Sequence, residues 1–510
     1  MVLQSKKLVP WTRKNYVVTI LNFFIHTLIM AGMVIGLIFI NAGSMEAFVE
    51  YFSTDNLRRY LYLVLFIVAL NFSIYLYLYC EFRDFLMRAK NITLVFLVIY
   101  ISFVGSVVLG NYVGIYARPI ALCALLLLLL INKRTAMFIN ANYAVFIFLV
   151  DTFTNQSFDV GHTVASLVMT ITMSVVAIYL IDGIGSRIKV FGMGLVISIP
   201  IAAISVLFEL AAFGNYYDAV MIVLHSFTAG VLSVVAMMAI LPVFEWMFNV
   251  LTNYRLAEIT DHKSKLIKKL IDEAYGTFTH SMVVASLAET CAASIDENPI
   301  LARAAAYYHD IGKLKQPIYF TENQHGYNPH DDLTPELSTE IIRSHTRDGY
   351  DLIKKYHLPL ILADVAREHH GTLPIQYFYA KALKYTEGGE LDISNFCYPG
   401  PKPRSKIAAI IMLADGCEAA VRAHNDRSRD KVEKIVGSIV EDRMKREQFS
   451  DCDITMREID LIKEALVSGL SGVYHDRIKY PKLGKKRTNA FESGSPLGSG
   501  DDRGMGGDIR

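Results

Sequence analysis

The chain has 510 residues, 53% of them apolar, and a formal net charge of +1. That length allows two or three domains, and a charge so near zero excludes a nucleic-acid polymer held through a broad basic surface. The six cysteines (Cys80, Cys123, Cys291, Cys397, Cys417 and Cys452) form no CxxC pair, which speaks against a disulfide frame or a cysteine zinc site and for free thiols in a reducing compartment.

Residues 1–250 are mostly apolar runs, whereas residues 251–510 have ordinary globular composition. A helix needs about 20 apolar residues to cross a bilayer. Eight stretches qualify in outline: 16–40, 59–79, 92–110, 118–132, 136–150, 161–182, 190–213 and 217–244. The first is too long for a signal-peptide core and reads as a retained anchor. The fourth and fifth are short enough for a re-entrant hairpin, but Lys133 and Arg134 between them favour two crossings. Lys6, Lys7, Arg13, Lys14, Arg83, Arg88, Lys90, Lys133, Arg134, Arg187 and Lys189 share one side of such a model, against Arg58, Arg59 and Arg118 opposite. The positive-inside rule then puts both termini in the cytosol. Glu209 is the one acid read as lying well inside a span, and His26, His162, His225, Asn71 and Asn140 are scattered. No repeated polar stripe marks an ion path, so residues 1–246 read as anchor or sensor rather than transporter.

From Tyr254 to Ile271 apolar residues recur at helical spacing, which predicts a linker helix within 247–275. Further helices are expected at 281–293, 299–308, 335–356, 360–368, 405–423, 431–447 and 456–474, with Pro299 and Pro335 marking two starts. No strand pattern stands out. The expected fold is all-α: a polytopic transmembrane bundle, then a helical domain over 276–482, then a disordered tail over 483–510.

Eleven of the 14 histidines fall between positions 262 and 475. His309-Asp310 ends one predicted helix and His369-His370 another, each followed closely by glycine (Gly312, Gly371). A His-Asp pair can place an imidazole on one cation and share its carboxylate with a second, the arrangement of two-metal hydrolysis of phosphodiesters. Asp415 follows five apolar residues in a core helix, a costly site for a carboxylate without a partner. Arg422, seven residues on, is the bland partner for it. Singly, His280 or His345 reads as a packed or capping histidine. Seven such residues in one small α domain read as a metal site.

The order H…HD…H…HH…D resembles the HD-domain phosphohydrolases, and more narrowly the seven-transmembrane HD family of bacterial cyclic di-AMP phosphodiesterases. The segments that carry the resemblance are GTFTHS (276–281), LARAAAYYHDIGKL (301–314), FTENQ (320–324), NPHDDL (328–333), SHTRDGY (344–350), EHHGT (368–372), YPGPKP (398–403) and LADGCEAA (413–420). It implies that His280, His309 and Asp415 hold one metal, that His345, His369 and His370 hold a second, and that Asp310 bridges them. It also implies a catalytic part for Asp310 and for Lys313, which would neutralise phosphate charge; a solvated lysine is the open alternative. The loop 323–332, with Asn328, His330 and Asp331, would rim the substrate site or simply close turns.

The implied cofactors are two divalent ions, Mn or Fe by the nitrogen and oxygen ligand set. The implied partners are a cyclic dinucleotide and the lipid bilayer, with a homodimer left open, and the implied place is a bacterial cell membrane with the catalytic domain cytosolic. Cyclic di-AMP would open to pApA. The Gly371-Thr372-Leu373-Pro374 run lacks the longer signature of cyclic di-GMP hydrolases, and seven ligands exceed what a ppGpp hydrolase needs. A receptor that only binds nucleotide is the rival from another class. The chain departs from the family in having only about 18 residues (41–58) between its first two spans, where a large external domain is usual. It departs also in Tyr275, where Pro is usual, and Ile407, where Glu is usual.

Overall fold

A computed structural model describes residues 11–52, 54–154, 160–213, 219–324, 326–385 and 391–473. The tail expected to be disordered lies outside them. Among the described residues there is no strand, only one isolated bridge between Pro374 and Cys397. The first half contains α1 (Arg13–Ala42), α2 (Met45–Tyr51), α3 (Thr54–Glu81), α4 (Arg83–Leu86), α5 (Ala89–Tyr112), α6 (Leu122–Leu130), α7 (Lys133–Thr154), α8 (Val160–Ile181), α9 (Arg187–Phe213) and α10 (Ala219–Phe248). Seven of these are long and apolar enough to cross a membrane: α1, α3, α5 and α7–α10. Leu28 and Ile199 stay 75% and 59% exposed, as a lipid-facing surface requires.

The expected fourth span does not form a full helix. It is a 3-10 turn at Ile115–Ala117 followed by α6, about 14 Å long and so about half of what the hydrocarbon demands. Its neighbours fix where it runs. Lys133 Nζ meets Asp182 at 3.1 Å, and Lys90 lies 5.9 Å from the Phe248 ring, so the starts of α5 and α7 share an end of the bundle with the close of α8 and α10. Tyr116 donates to Glu209 at 2.8 Å, near the close of α9 and at the other end. Residues 115–131 therefore still pass from one end to the other, partly unwound and inside the protein. Every residue from Ile115 to Leu128 is buried. Irregular backbone at membrane depth is tolerated under that condition.

The break is held by a buried charge pair, one member of which, Arg118, is expected from the sequence at a loop. Arg118, 2% exposed, reaches Asp151 of α7 through Nη1 at 2.5 Å and Nη2 at 2.9 Å. Asp151 is thus a buried acid of the membrane half, in addition to the half-buried Glu209, which faces His162 at 3.5 Å.

The second half contains α11 (Asn253–Ile259), α12 (Lys265–Glu273), α13 (Tyr275–Ser294), α14 (Pro299–Tyr308), α15 (Pro335–Lys355), α16 (Leu360–Glu368), α17 (Gln376–Tyr385), α18 (Lys406–Ala423), α19 (Arg429–Lys445) and α20 (Met456–Val473). The single linker helix expected over 254–271 is two, broken at 260–264. Leu256, Leu266, Ile267 and Leu270 are buried in the second core, so this stretch is the domain's first packed layer. Tyr254 instead packs with the membrane bundle and donates to the Ile184 carbonyl at 2.7 Å. The helix α17 had no counterpart in the sequence reading.

Ala302, Ala304, Ala305 and Ala306 are fully buried and let α14 sit close to its neighbours. Gly312 serves approach more than turning, since a Cβ there would lie 1.9 Å from the His345 carbonyl oxygen. The turn after His309-Asp310 is thereby pressed onto α15, beside His345.

Breaking the buried Arg118–Asp151 pair leaves an unmatched charge, which costs about 3–5 kcal/mol. Asp151→Ala is expected to lower the midpoint of SDS-induced unfolding in mixed micelles markedly. Asp182→Ala, which removes the half-exposed partner of Lys133, is expected to cost under about 1 kcal/mol. Equal shifts in the two variants would contradict the buried pair's role.

Candidate metal centre

Five helices deliver the expected residues to one place. His309 caps the C-terminus of α14 and Asp310 follows it; His280 lies in the second turn of α13; His345 is in the middle of α15; His369 and His370 end α16; Asp415 projects from α18. Ligand atoms of Asp310, His345, His369 and His370 all lie within 4.8 Å of one another, and so do those of His280, His309 and Asp415. All seven are buried except His370, which is half-buried.

Asp310 stands between the two sets. Its Oδ1 is 3.4 Å from His345 Nε2 and 3.6 Å from His369 Nε2. Its Oδ2 is 3.3 Å from His309 Nε2 and 3.7 Å from His280 Nε2. Arg422, the bland partner considered for Asp415, pairs instead with Glu418 at 3.5 Å.

The ring orientations are fixed from behind. His309, His345 and His369 each donate Nδ1–H to the carbonyl three residues earlier, Ala306, Ile342 and Ala366, at 2.6, 2.5 and 2.9 Å. In the neutral ring, each Nε2 is then a lone pair facing the centre. His345 Nε2 and His369 Nε2 face each other at 3.3 Å, a repulsive meeting that a cation between lone pairs reverses. Among the described residues His309 Nε2 and Asp310 Oδ1 are buried with no hydrogen-bond partner. Buried polar atoms left in that state are costly unless something binds them. The donor set fits divalent cations.

Charge follows the same division. Burial pushes His345 down to about 4, and it pushes His370 well below its usual value, so both are neutral at pH 7, the form in which an imidazole can take a cation. Burial also pulls on His280, but the bonds it donates to Asp415 and Glu418 outweigh that and raise the group to about 9. Burial opposes ionisation of Asp310, yet Lys313 and the surrounding imidazoles hold it well below the usual carboxylate range. Lys313 is not a solvated lysine: its Nζ sits 2.7 Å from Asp310 and 2.7 Å from Glu322, with 12% of the side chain exposed.

A cavity of about 580 Å³ opens onto this centre, lined among others by Lys313, Asn328, His330, Phe378, Tyr398 and Arg422. Asn328 and His330 line it and close turns at once. Asn328 Oδ1 accepts from the His330 amide at 3.2 Å, and His330 Nε2–H donates to the Tyr319 carbonyl at 2.9 Å. Asp331 is exposed and does not line the cavity. Tyr398 stacks on His370 with centroids 4.3 Å apart. Tyr398, Glu322 and Glu418 fall inside the quoted motifs but are not among the expected site residues; only Glu418, three residues after Asp415 on the same helix, carries a spacing signal.

The HD domain family matches residues 277–420, and the family described as a 7TM receptor with intracellular HD hydrolase matches residues 57–252. The chain is 37% identical over 390 residues to the cyclic-di-AMP phosphodiesterase PgpH of Bacillus subtilis, covering 74% of this chain and 52% of that protein. It is 43% identical over 258 residues to the cyclic-di-AMP phosphodiesterase PgpH of Listeria monocytogenes, covering 50% of this chain and 36% of that one. The chain thus spans about half the length, or less, of these curated relatives. The crystal structure of the L. monocytogenes phosphodiesterase PgpH HD domain in complex with cyclic-di-AMP is 47% identical, covers 42% of this chain and 99% of that one, and has a TM-score of 0.40.

His280 is held above its ordinary value by its bonds to Asp415 and Glu418, so a cation that takes its Nε2 is expected to displace that ring's proton, about one from this residue. Calorimetric titration of the metal-free chain with Mn(II) at pH 7, in two buffers of different ionisation enthalpy, reads that number directly. A binding heat independent of the buffer would contradict the assignment of the His280 proton.

Proposed function

This chain belongs, by its membrane segment and its HD domain alike, to the seven-transmembrane HD-domain family, and on that premise we propose that it is a membrane-anchored, metal-dependent phosphodiesterase opening cyclic di-AMP to pApA. The observation that carries the reading is Asp310, one buried carboxylate whose two oxygens face two separate imidazole sets. His280, His309 and Asp415 would hold one cation, His345, His369 and His370 another, and Asp310 both. The nitrogen and oxygen donors suit Mn or Fe. Bound there, such ions supply Lewis acidity toward a phosphoryl oxygen and lower the pKa of water.

The chain's own groups do the rest. Lys313 keeps Asp310 ionised and oriented, held in turn by Glu322. Phe378 and Tyr377 line the cavity, and aromatic rings there suit nucleobases. The preference for adenine rests on similarity to the PgpH proteins. Cytosolic placement of the domain is supported by charge: Arg83, Arg88, Lys90, Lys133, Arg134, Arg187 and Lys189 flank the bundle end from which the domain extends.

The detergent-solubilised full chain, loaded with Mn(II) or Fe(II), is to be offered cyclic di-AMP, cyclic di-GMP and ppGpp side by side. Chromatography is expected to show pApA from the first. Asp310→Ala is expected to lose well over the ~100-fold that removal of a mere outer-shell partner costs. Near-normal turnover by metal-loaded Asp310→Ala, or cleavage of none of the three by the metal-loaded wild type, would overturn the reading.

A further inference from the structure

We propose that Glu418 is a positioning residue that sets the affinity of the cation site formed by His280, His309 and Asp415, a role that rests on the two-cation reading above. Four of the five imidazoles belong to α14, α15 and α16, and three of these are oriented by their own helix backbone. His280 is different. Its Nδ1 donates to Glu418 Oε2 at 2.6 Å, a carboxylate on another helix and 1% exposed. The other oxygen of Glu418 faces Arg422 Nη1 at 3.5 Å.

The helix α18 therefore grips His280 at both nitrogens. Asp415 Oδ1 lies 3.0 Å from Nε2, and Glu418, three residues on and on the same face, takes Nδ1. When Nε2 and Asp415 turn to a cation, Glu418 alone still holds the ring. A carboxylate behind a ligating imidazole fixes its tautomer and makes the other nitrogen a stronger donor, and its loss costs 10–100-fold in metal affinity. A backbone carbonyl carries no net charge and gives less of that strengthening. The two cation sites are in this respect unequal: His345 and His369 are backed by carbonyls, and His280 is backed by a charge.

The test is Mn(II) binding to the chelator-stripped full chain in detergent, with free ion followed by electron paramagnetic resonance. Wild type is expected to bind two ions. Glu418→Gln, which keeps size and hydrogen bonding but removes the charge, is expected to bind one ion as before and the other ~10–100-fold more weakly. Glu418→Asp, which keeps the charge on a shorter stem, is expected to recover part of that loss. On a His280→Gln background, Glu418→Gln is expected to add little, because the two changes act through one ring. Unchanged affinity for both ions in Glu418→Gln, equal weakening of both, or equal loss in the Asp and Gln variants would overturn the role of Glu418. A wild-type chain that binds fewer than two ions fails at the earlier step, and the two-cation reading falls with it.

Discussion

The C-terminal domain is organised around the electrostatics of one buried carboxylate. Asp310 is 1% exposed and surrounded by imidazoles from four helices. A carboxylate in that position is tolerable only if positive charge comes with it. Lys313 provides some of that charge from within the chain. The geometry of the rest, with lone pairs turned inward and hydrogen bonds turned outward, is that of a shell arranged to receive more. The packing around it follows from this need. The run of alanines in α14 and the glycine at 312 let three helices approach closely enough for side chains this short to converge.

The membrane half obeys the same rule with different means. A backbone that leaves the helix inside a bilayer must hide its polar groups, and a charge there must find its opposite. Residues 115–121 do both by lying wholly within the bundle. Arg118 meets Asp151, Tyr116 meets Glu209, and the Ile120 carbonyl accepts from Ser174 at 3.0 Å. Positions that look like ordinary loop residues in the sequence are thus structural anchors. The bundle and the domain then meet through a compact joint, not an extended rod. Arg255 donates to the Glu245 carbonyl at 2.8 Å, Arg187 pairs with Glu258 at 2.7 Å, and Thr252 caps α11.

Much of this was legible in the sequence, for reasons that can be named. Helices with proline at their first turn, α14 and α15, begin where expected, because Pro is favoured at that position, where its missing N–H costs nothing. The convergence of His280, His309, Asp310, His345, His369, His370 and Asp415 was legible only as a pattern, since no spacing along a chain fixes distances between helices. The broken crossing was not legible. An apolar run such as Leu122–Leu130 reads as a membrane span whichever side faces lipid, and burial on all sides is a property of the neighbours. Asp151 was missed because the apolar run ends one residue before it. The break at 260–264 was missed because helical periodicity carries across a short turn when both flanking helices bury the same face.

Lys313 shows how placement changes a residue's meaning. Read from the motif, it is a cation waiting for phosphate. In the structure its charge is already answered by two carboxylates, each at 2.7 Å, and an arriving phosphate would have to displace one of them. The ammonium therefore acts first on Asp310, fixing which lone pairs that carboxylate turns toward His345 and which toward His309. Arg422 makes the contrast clear, since it also borders the cavity but is 40% exposed and holds Glu418 loosely at 3.5 Å. Of the two basic side chains, the buried lysine is bound into the centre's own charge balance, and the arginine at the cavity's edge is the more exposed and the more loosely paired.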